Sequence, residues 1–256
     1  MKNSKNGDIG ATTLKGLDQE FLHVDPLKEA YSESLLEQPV YTESLKLHHA
    51  ALMVIDVQYL DAAPGHGVFA DVEKSGVPLA AQEYYFKRLD HVVLPNIARL
   101  QNTFRDLKME VIHTRIQSMT KDGRDRSVGH KRLGLHAAPG SKEAEFLPEV
   151  APKGDEIIIN KTASGVFNAT NAEFILRNMG IDSLYVCGVY TNECVSTTVR
   201  DACDRGFNTT LINDACATVT PDLHNATIKT IKDRYARVLT ADEVVKELKA
   251  SAKKNG

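Results

Sequence analysis

Six short, almost wholly apolar runs recur along the chain, separated by longer stretches with helical periodicity, and this alternation is the strongest constraint on the fold. The runs are Ala50-Ala51-Leu52-Met53-Val54-Ile55-Asp56, Glu110-Val111-Ile112-His113-Thr114, Glu156-Ile157-Ile158-Ile159-Asn160, Ser183-Leu184-Tyr185-Val186-Cys187-Gly188-Val189, Thr209-Thr210-Leu211-Ile212-Asn213 and Ala236-Arg237-Val238-Leu239. Each has strand length, and a strand with no polar face must be covered on both sides. Between them the pattern predicts helices over 89–107 with Pro95 early in it, 171–179 ended by Gly180, 194–205 stopped by Gly206, 221–235 and 241–249. Short apolar strands alternating with helices make an α/β protein, a parallel sheet with helices on both faces.

The first 48 residues do not share this pattern. They are polar and weakly patterned, interrupted by Pro26 and Pro39, and read as an N-terminal extension that packs on the domain or on a partner subunit. The regular domain then runs from 49 to 256. Within it, the insert over 62–87, with Gly65-His66-Gly67 and the pair Tyr84-Tyr85, reads either as a lid or as an irregular crossover with a helix near its end.

Charge and length exclude several classes of function. Thirty-one basic residues against 34 acidic give −3, without a long basic run, which argues against nucleic acid or an anionic membrane as partner. No stretch approaches the ~20 apolar residues of a membrane span, and the N-terminus lacks the apolar core of a secretory signal, so a cytoplasmic protein is expected. In that compartment the four cysteines, 187, 194, 203 and 216, read as free thiols, and none has the spacing of a zinc site.

Such sheets bind ligands outside the carboxyl ends of their strands, and three chemically capable residues fall there. Asp56 closes the first run, Lys161 follows the third, and Cys194 lies just past the fourth, on the first turn of the helix after it. Free backbone N–H groups and the helix dipole at that position favour a thiolate, hence a nucleophile; the competing reading is a small buried core residue. Asp at a strand end is often a turn or helix cap, and Lys there a solvated charge. Together the three form a coherent set, in which a carboxylate takes the thiol's proton and an ammonium holds both.

The segments Leu52-Met53-Val54-Ile55-Asp56-Val57-Gln58, Asn160-Lys161-Thr162-Ala163-Ser164-Gly165-Val166-Phe167-Asn168-Ala169-Thr170, Cys187-Gly188-Val189-Tyr190-Thr191-Asn192-Glu193-Cys194-Val195, Thr198-Val199-Arg200-Asp201-Ala202 and Asp214-Ala215-Cys216-Ala217-Thr218 resemble, in order, the isochorismatase-like cysteine hydrolases. The resemblance implies a three-layer α/β/α fold with a six-stranded, mostly parallel sheet, a catalytic triad at Asp56, Lys161 and Cys194, and an oxyanion hole from the backbone amides of Tyr190 and Cys194. It also implies a cis peptide between Val189 and Tyr190, and a homodimer or homotetramer. The implied reaction is hydrolysis of a C–N amide bond through a thioester, releasing ammonia or an amine.

Departures from subfamily patterns narrow this further. The region 113–126 lacks the Asp-x-His spacing of nicotinamidases, so neither a metal nor another cofactor is expected. Asp122-Gly123-Arg124-Asp125-Arg126-Ser127 is similar to the ureido and carbamoyl branch, which makes a small ureido or carbamoyl compound the expected substrate and Arg124 a candidate carboxylate anchor, unless the loop is basic for packing reasons. Phe167 and Asn192, each beside a triad motif, are candidate pocket residues. The alternatives are a vinyl-ether hydrolase of the isochorismatase type, which needs Asp56 but not the thiol, and a catalytically idle binding or assembly protein.

Overall fold

The structure, a computed structural model, describes residues 49–71 and 74–255. The expected extension over 1–48 lies outside the described residues. Six strands, β1 (Ala50–Ile55), β2 (Glu110–Ile116), β3 (Ile157–Lys161), β4 (Ser183–Val189), β5 (Asn208–Ala217) and β6 (Arg237–Leu239), form one sheet in the order β3-β2-β1-β4-β5-β6. Every adjacent pair is parallel. The helices Leu94–Asp106 and Ala241–Asn255 pack together over one face of the sheet, and Ser196–Asp204, against Val166–Ala169 and Pro221–Ile231, covers the other. This is the expected three-layer α/β/α architecture.

Burial explains the composition of the strands. All six residues of β1 are buried, as are all but the first of β4, because these central strands have helices above and below. At the edge, β3 leaves Ile158 and Asn160 exposed. The chain travels outward from β1 to β2 and β3, then returns to the other flank of β1 as β4. That reversal leaves a crevice at the carboxyl ends of β1 and β4.

The two strand ends approach unusually closely. Gly188 has φ +119°, and a Cβ at that position would lie 2.1 Å from the Ile55 carbonyl oxygen. The pairing of β4 with β5 shifts register between Val186 and Gly188, so an irregularity re-aims the end of β4 just before the turn to Cys194. Asp56, the next residue after β1, has φ 51°, a left-handed conformation rare outside glycine. Gln58 secures the neighbouring end: its Nε2 donates to the carbonyls of Ile116 (2.9 Å) and Glu143 (2.8 Å), and its Oε1 accepts from the Ile116 N–H (2.6 Å).

The structure departs from the sequence expectation in four elements, and the simplest departure is the helix expected over 221–235, which ends at Ile231. The helix expected from 89 begins at Leu79 and passes through a π turn, Leu89–Val93, into Leu94–Asp106. Its early part reads as polar, but Tyr85 is wholly buried and stacks on Phe69 at 5.6 Å. Within the insert over 62–87, the described residues 79–87 are thus helical. Strand β5 continues past Asn213 to Ala217 because tertiary partners satisfy its polar residues: Arg88 donates to the Asn213 carbonyl, Asn96 to the Asp214 carbonyl, and the Asp214 carboxylate accepts from the Ala241 N–H. The last helix runs to Asn255 rather than 249.

Replacing Gly188 by Ala forces a methyl group into the Ile55 backbone at a conformation hostile to L side chains, and we expect Gly188→Ala to lower unfolding free energy by more than about 2 kcal/mol in urea titrations.

Candidate active site

Asp56, Lys161 and Cys194 meet in one buried cluster. The Lys161 ammonium lies 2.7 Å from Asp56 Oδ2, donates to the Ala163 carbonyl at 3.0 Å, and donates to Cys194 Sγ at 3.3 Å. The ammonium thus pairs with the Asp56 carboxylate and donates to two further acceptors. Lys161 leaves an edge strand, yet its side chain is 0% exposed because the long stem crosses the end of β2 to reach Asp56. Asp56 Oδ1 accepts from Thr114 Oγ1 at 2.8 Å, and the Asp56 N–H donates to the Thr114 carbonyl, so the neighbouring strand fixes both backbone and carboxylate.

Burial alone would lower the Lys161 pKa, but the Asp56 carboxylate beside it outweighs burial and holds the group raised, firmly an ammonium. Cys194 corrects the expectation drawn from its helix position. Burial pushes its thiol well above the ordinary range; Lys161 opposes the shift, while Asp56, which also hydrogen-bonds the thiol, and Asp61 reinforce it. Burial thus favours a protonated thiol, set beside the Asp56 carboxylate.

Cys194 is carried by a wound turn. The Val189–Tyr190 peptide bond is cis, as the resemblance implied, and the segment Thr191–Val195 forms a π turn that continues into the helix Ser196–Asp204. The Tyr190 carbonyl accepts from both Glu193 and Val195 N–H groups, which fixes the backbone that bears the Tyr190 and Cys194 amides. Thr191 Oγ1 is hydrogen-bonded to His224 Nδ1 at 2.9 Å, and His224 Nε2 to Asn213 Oδ1 at 2.7 Å. Asn192, half-buried, accepts from Thr218 Oγ1.

The remaining pocket candidates lie elsewhere in the network. Phe167 is buried against Phe207 and has the Arg205 guanidinium over its ring. Arg124 has a 74% exposed side chain, paired with Asp122 at 3.1 Å. Its loop satisfies its own charges: Asp125 accepts from Met119 and Thr120, and Arg126 donates to the Gly123 and Leu135 carbonyls. Among the described residues neither Phe167 nor Arg124 is hydrogen-bonded to Asp56, Lys161 or Cys194.

Two site residues escaped the sequence reading. Asp61 is buried, five positions after Asp56 on the short helix Tyr59–Ala62, and its backbone carbonyl accepts from the hydroxyls of Tyr85 (2.8 Å) and Tyr190 (3.0 Å). His130, on the short helix Val128–Arg132, is buried within electrostatic reach of Lys161 and Asp56. The one sequence signal for Asp61 was an acid among Leu60, Ala62 and Ala63; His130 sits in a polar loop and had none. No helix among the described residues is long and apolar enough to cross a membrane, and no three His, Cys, Asp or Glu side chains among them cluster as metal ligands would.

Comparison with known proteins gives this geometry a lineage. The isochorismatase domain model matches residues 50–243. The chain is 25% identical over 201 residues to a maleamate amidohydrolase of Pseudomonas putida, covering 78% of this chain and 86% of that one. It is 26% identical over 163 residues to an N-carbamoylsarcosine amidase of Arthrobacter, covering 62% of each. The crystal structure of a cysteine hydrolase from Pseudomonas syringae superposes with a TM-score of 0.65 at 22% identity, over 81% of this chain and 96% of that one, a likeness of fold.

Two outcomes follow from the cluster. Removing the ammonium strands a buried carboxylate, and Lys161→Met should cost about 3–5 kcal/mol of stability in urea unfolding. Because the thiol must lose its proton to react, alkylation of Cys194 by iodoacetamide, followed by mass spectrometry, should reach half its plateau rate above pH 9.0, the ordinary thiol value.

Proposed function

The chain belongs to the isochorismatase superfamily of cysteine-type hydrolases, and from that premise we propose that it cleaves a C–N bond of a small amide, ureido or carbamoyl compound through a thioester on Cys194. The observation that carries this reading is the single ammonium of Lys161 in contact with both the Asp56 carboxylate and the Cys194 sulfur.

In the proposed reaction, Asp56 takes the thiol proton as sulfur attacks the substrate carbonyl carbon, so no free thiolate accumulates beforehand. That order suits a thiol whose resting form is neutral. The new C–S bond pushes the carbonyl electrons onto oxygen, and the Tyr190 and Cys194 backbone N–H groups receive the oxyanion. Collapse breaks the C–N bond; the leaving nitrogen takes the proton from Asp56 and departs as ammonia or an amine. Water then gives a proton to Asp56 while its oxygen attacks the thioester. Collapse of this second intermediate expels the thiolate, which recovers that proton, and the product leaves as a carboxylic or carbamic acid.

Lys161 remains charged throughout. It steadies Asp56 as an anion at the start and the sulfur whenever it carries negative charge. Two relatives whose names specify amide or carbamoyl substrates support the C–N reading, and the sequence similarity of the 122–127 loop supports its ureido and carbamoyl branch. We place the working enzyme in a homodimer or homotetramer, by the same resemblance.

The test is ammonia release from biuret, triuret, ureidoacrylate, N-carbamoyl amino acids and nicotinamide. One or more of the ureido compounds should be turned over by the wild type, with kcat at least about a thousandfold lower in Cys194→Ala. Activity that survives in Cys194→Ala and disappears in Asp56→Asn would instead assign chemistry without the thiol, as in vinyl-ether hydrolysis.

A further inference from the structure

Beside the triad lie two buried polar side chains, Asp61 and His130, with hydrogen-bonding atoms that have no partner within the protein. Asp61 Oδ2, Nδ1 of His130 and Nε2 of His130 are all shielded from solvent and unpaired. Buried polar groups are ordinarily satisfied, because leaving one unmade costs about 1–3 kcal/mol, so unpaired ones facing a reactive cluster call for an occupant. Both residues are held rigidly. Two tyrosine hydroxyls clamp the Asp61 backbone carbonyl; the His130 N–H donates to Ser127 Oγ and the His130 carbonyl accepts from the Leu135 N–H. A side chain carried on an anchored backbone and left unpaired costs little ordering to meet a ligand.

We propose that Asp61 and His130 are specificity-determining residues, which hydrogen-bond the part of the substrate beyond the scissile carbonyl and select an electrically neutral amide or ureido compound over one bearing a carboxylate. This rests on the amidohydrolase reading above and names its substrate class.

The chemistry of the two groups supports the selection. Burial first, then Asp56 and Glu193, against the opposing pull of Lys161, hold the Asp61 carboxyl well above its usual range, which favours the protonated acid. Burial first, then Lys161 and Arg126, against Asp56, lower His130 to about 4, so it is a neutral imidazole at neutral pH. A carboxylic acid and a neutral imidazole each offer one donor and at least one acceptor. An amide or ureido group presents N–H donors and a carbonyl acceptor, and pairs with both. A carboxylate has acceptors alone. It would leave the acceptor atoms of Asp61 and His130 unpaired and add a second negative charge near Asp56. A cation would meet Lys161 directly.

Matched pairs differing only in CONH2 against COO− test this: malonamide against malonamate, and N-carbamoylglycinamide against N-carbamoylglycine. Dissociation constants are measured by calorimetry on Cys194→Ser, and kcat and KM on the otherwise native enzyme. In at least one pair the neutral member should bind at least about tenfold more tightly at pH 7. Asp61→Ala and His130→Ala should each erase most of that preference, mainly through KM, whereas Asp61→Asn, which keeps a donor and an acceptor, should retain it. Tighter binding of the carboxylate members, absence of binding by both pairs, or a preference untouched by Asp61→Ala and His130→Ala would overturn the proposal. Preference in binding without ammonia release by the wild type would sink the amidohydrolase reading and leave this one standing; turnover without preference would do the reverse.

Discussion

A single ammonium buried without access to water governs the chemistry of this protein. Desolvating Lys161 is expensive, and the cost is offset by an ion pair with Asp56 and by two further acceptors. Asp56 is therefore the partner that makes the buried charge tolerable and, in the proposed reaction, the base that serves the thiol. Once that one pair of opposite charges is in place, little room is left for another. Burial around it disfavours further charge: the Cys194 thiol and the Asp61 carboxyl are pushed up, and the His130 imidazole is pushed down to about 4. A site of this kind holds one ion pair inside a shell of neutral donors and acceptors.

The fold exists around this cluster in a literal geometric sense. Asp56, Lys161 and Cys194 come from the ends of β1, β3 and β4, and only a parallel sheet delivers three carboxyl ends to one edge. Their convergence needs close backbone contact between β1 and β4, which Gly188 permits by having no side chain. It needs Thr114 on the strand between β1 and β3 to orient Asp56, and Gln58 to join the ends of β1 and β2. The Tyr85 and Tyr190 hydroxyls converge on the Asp61 carbonyl, tying the crossover helix and the turn before Cys194 to the same spot.

Legibility in the sequence followed the range of the interactions. The strands β1 and β4 were readable to within a residue because burial on both faces leaves an uninterrupted apolar run. Leu79–Arg88 was read only as an unbounded helix near the end of the insert, beside the lid reading, since its burial depends on Tyr85 meeting Phe69, a contact the local pattern does not record. Asn213 and Asp214 looked like the end of a strand; Arg88, Asn96 and Ala241 are what make them part of one. The same division runs through the site, where the triad residues stood at recognisable strand ends, whereas Asp61 and His130 reach it from segments without a signature.

The sequence by itself determined the order of strands and helices, the parallel sheet they must form, and which carboxylate, ammonium and thiol stand at its functional edge. Those are consequences of apolar periodicity and of residue type at strand ends. Only the tertiary structure decided how the groups ionise and which uncharged neighbours surround them. The reason is that a pKa depends on distance and desolvation in three dimensions, so a helix start that favours a thiolate in isolation becomes, beneath a closed core, a place where the thiol keeps its proton.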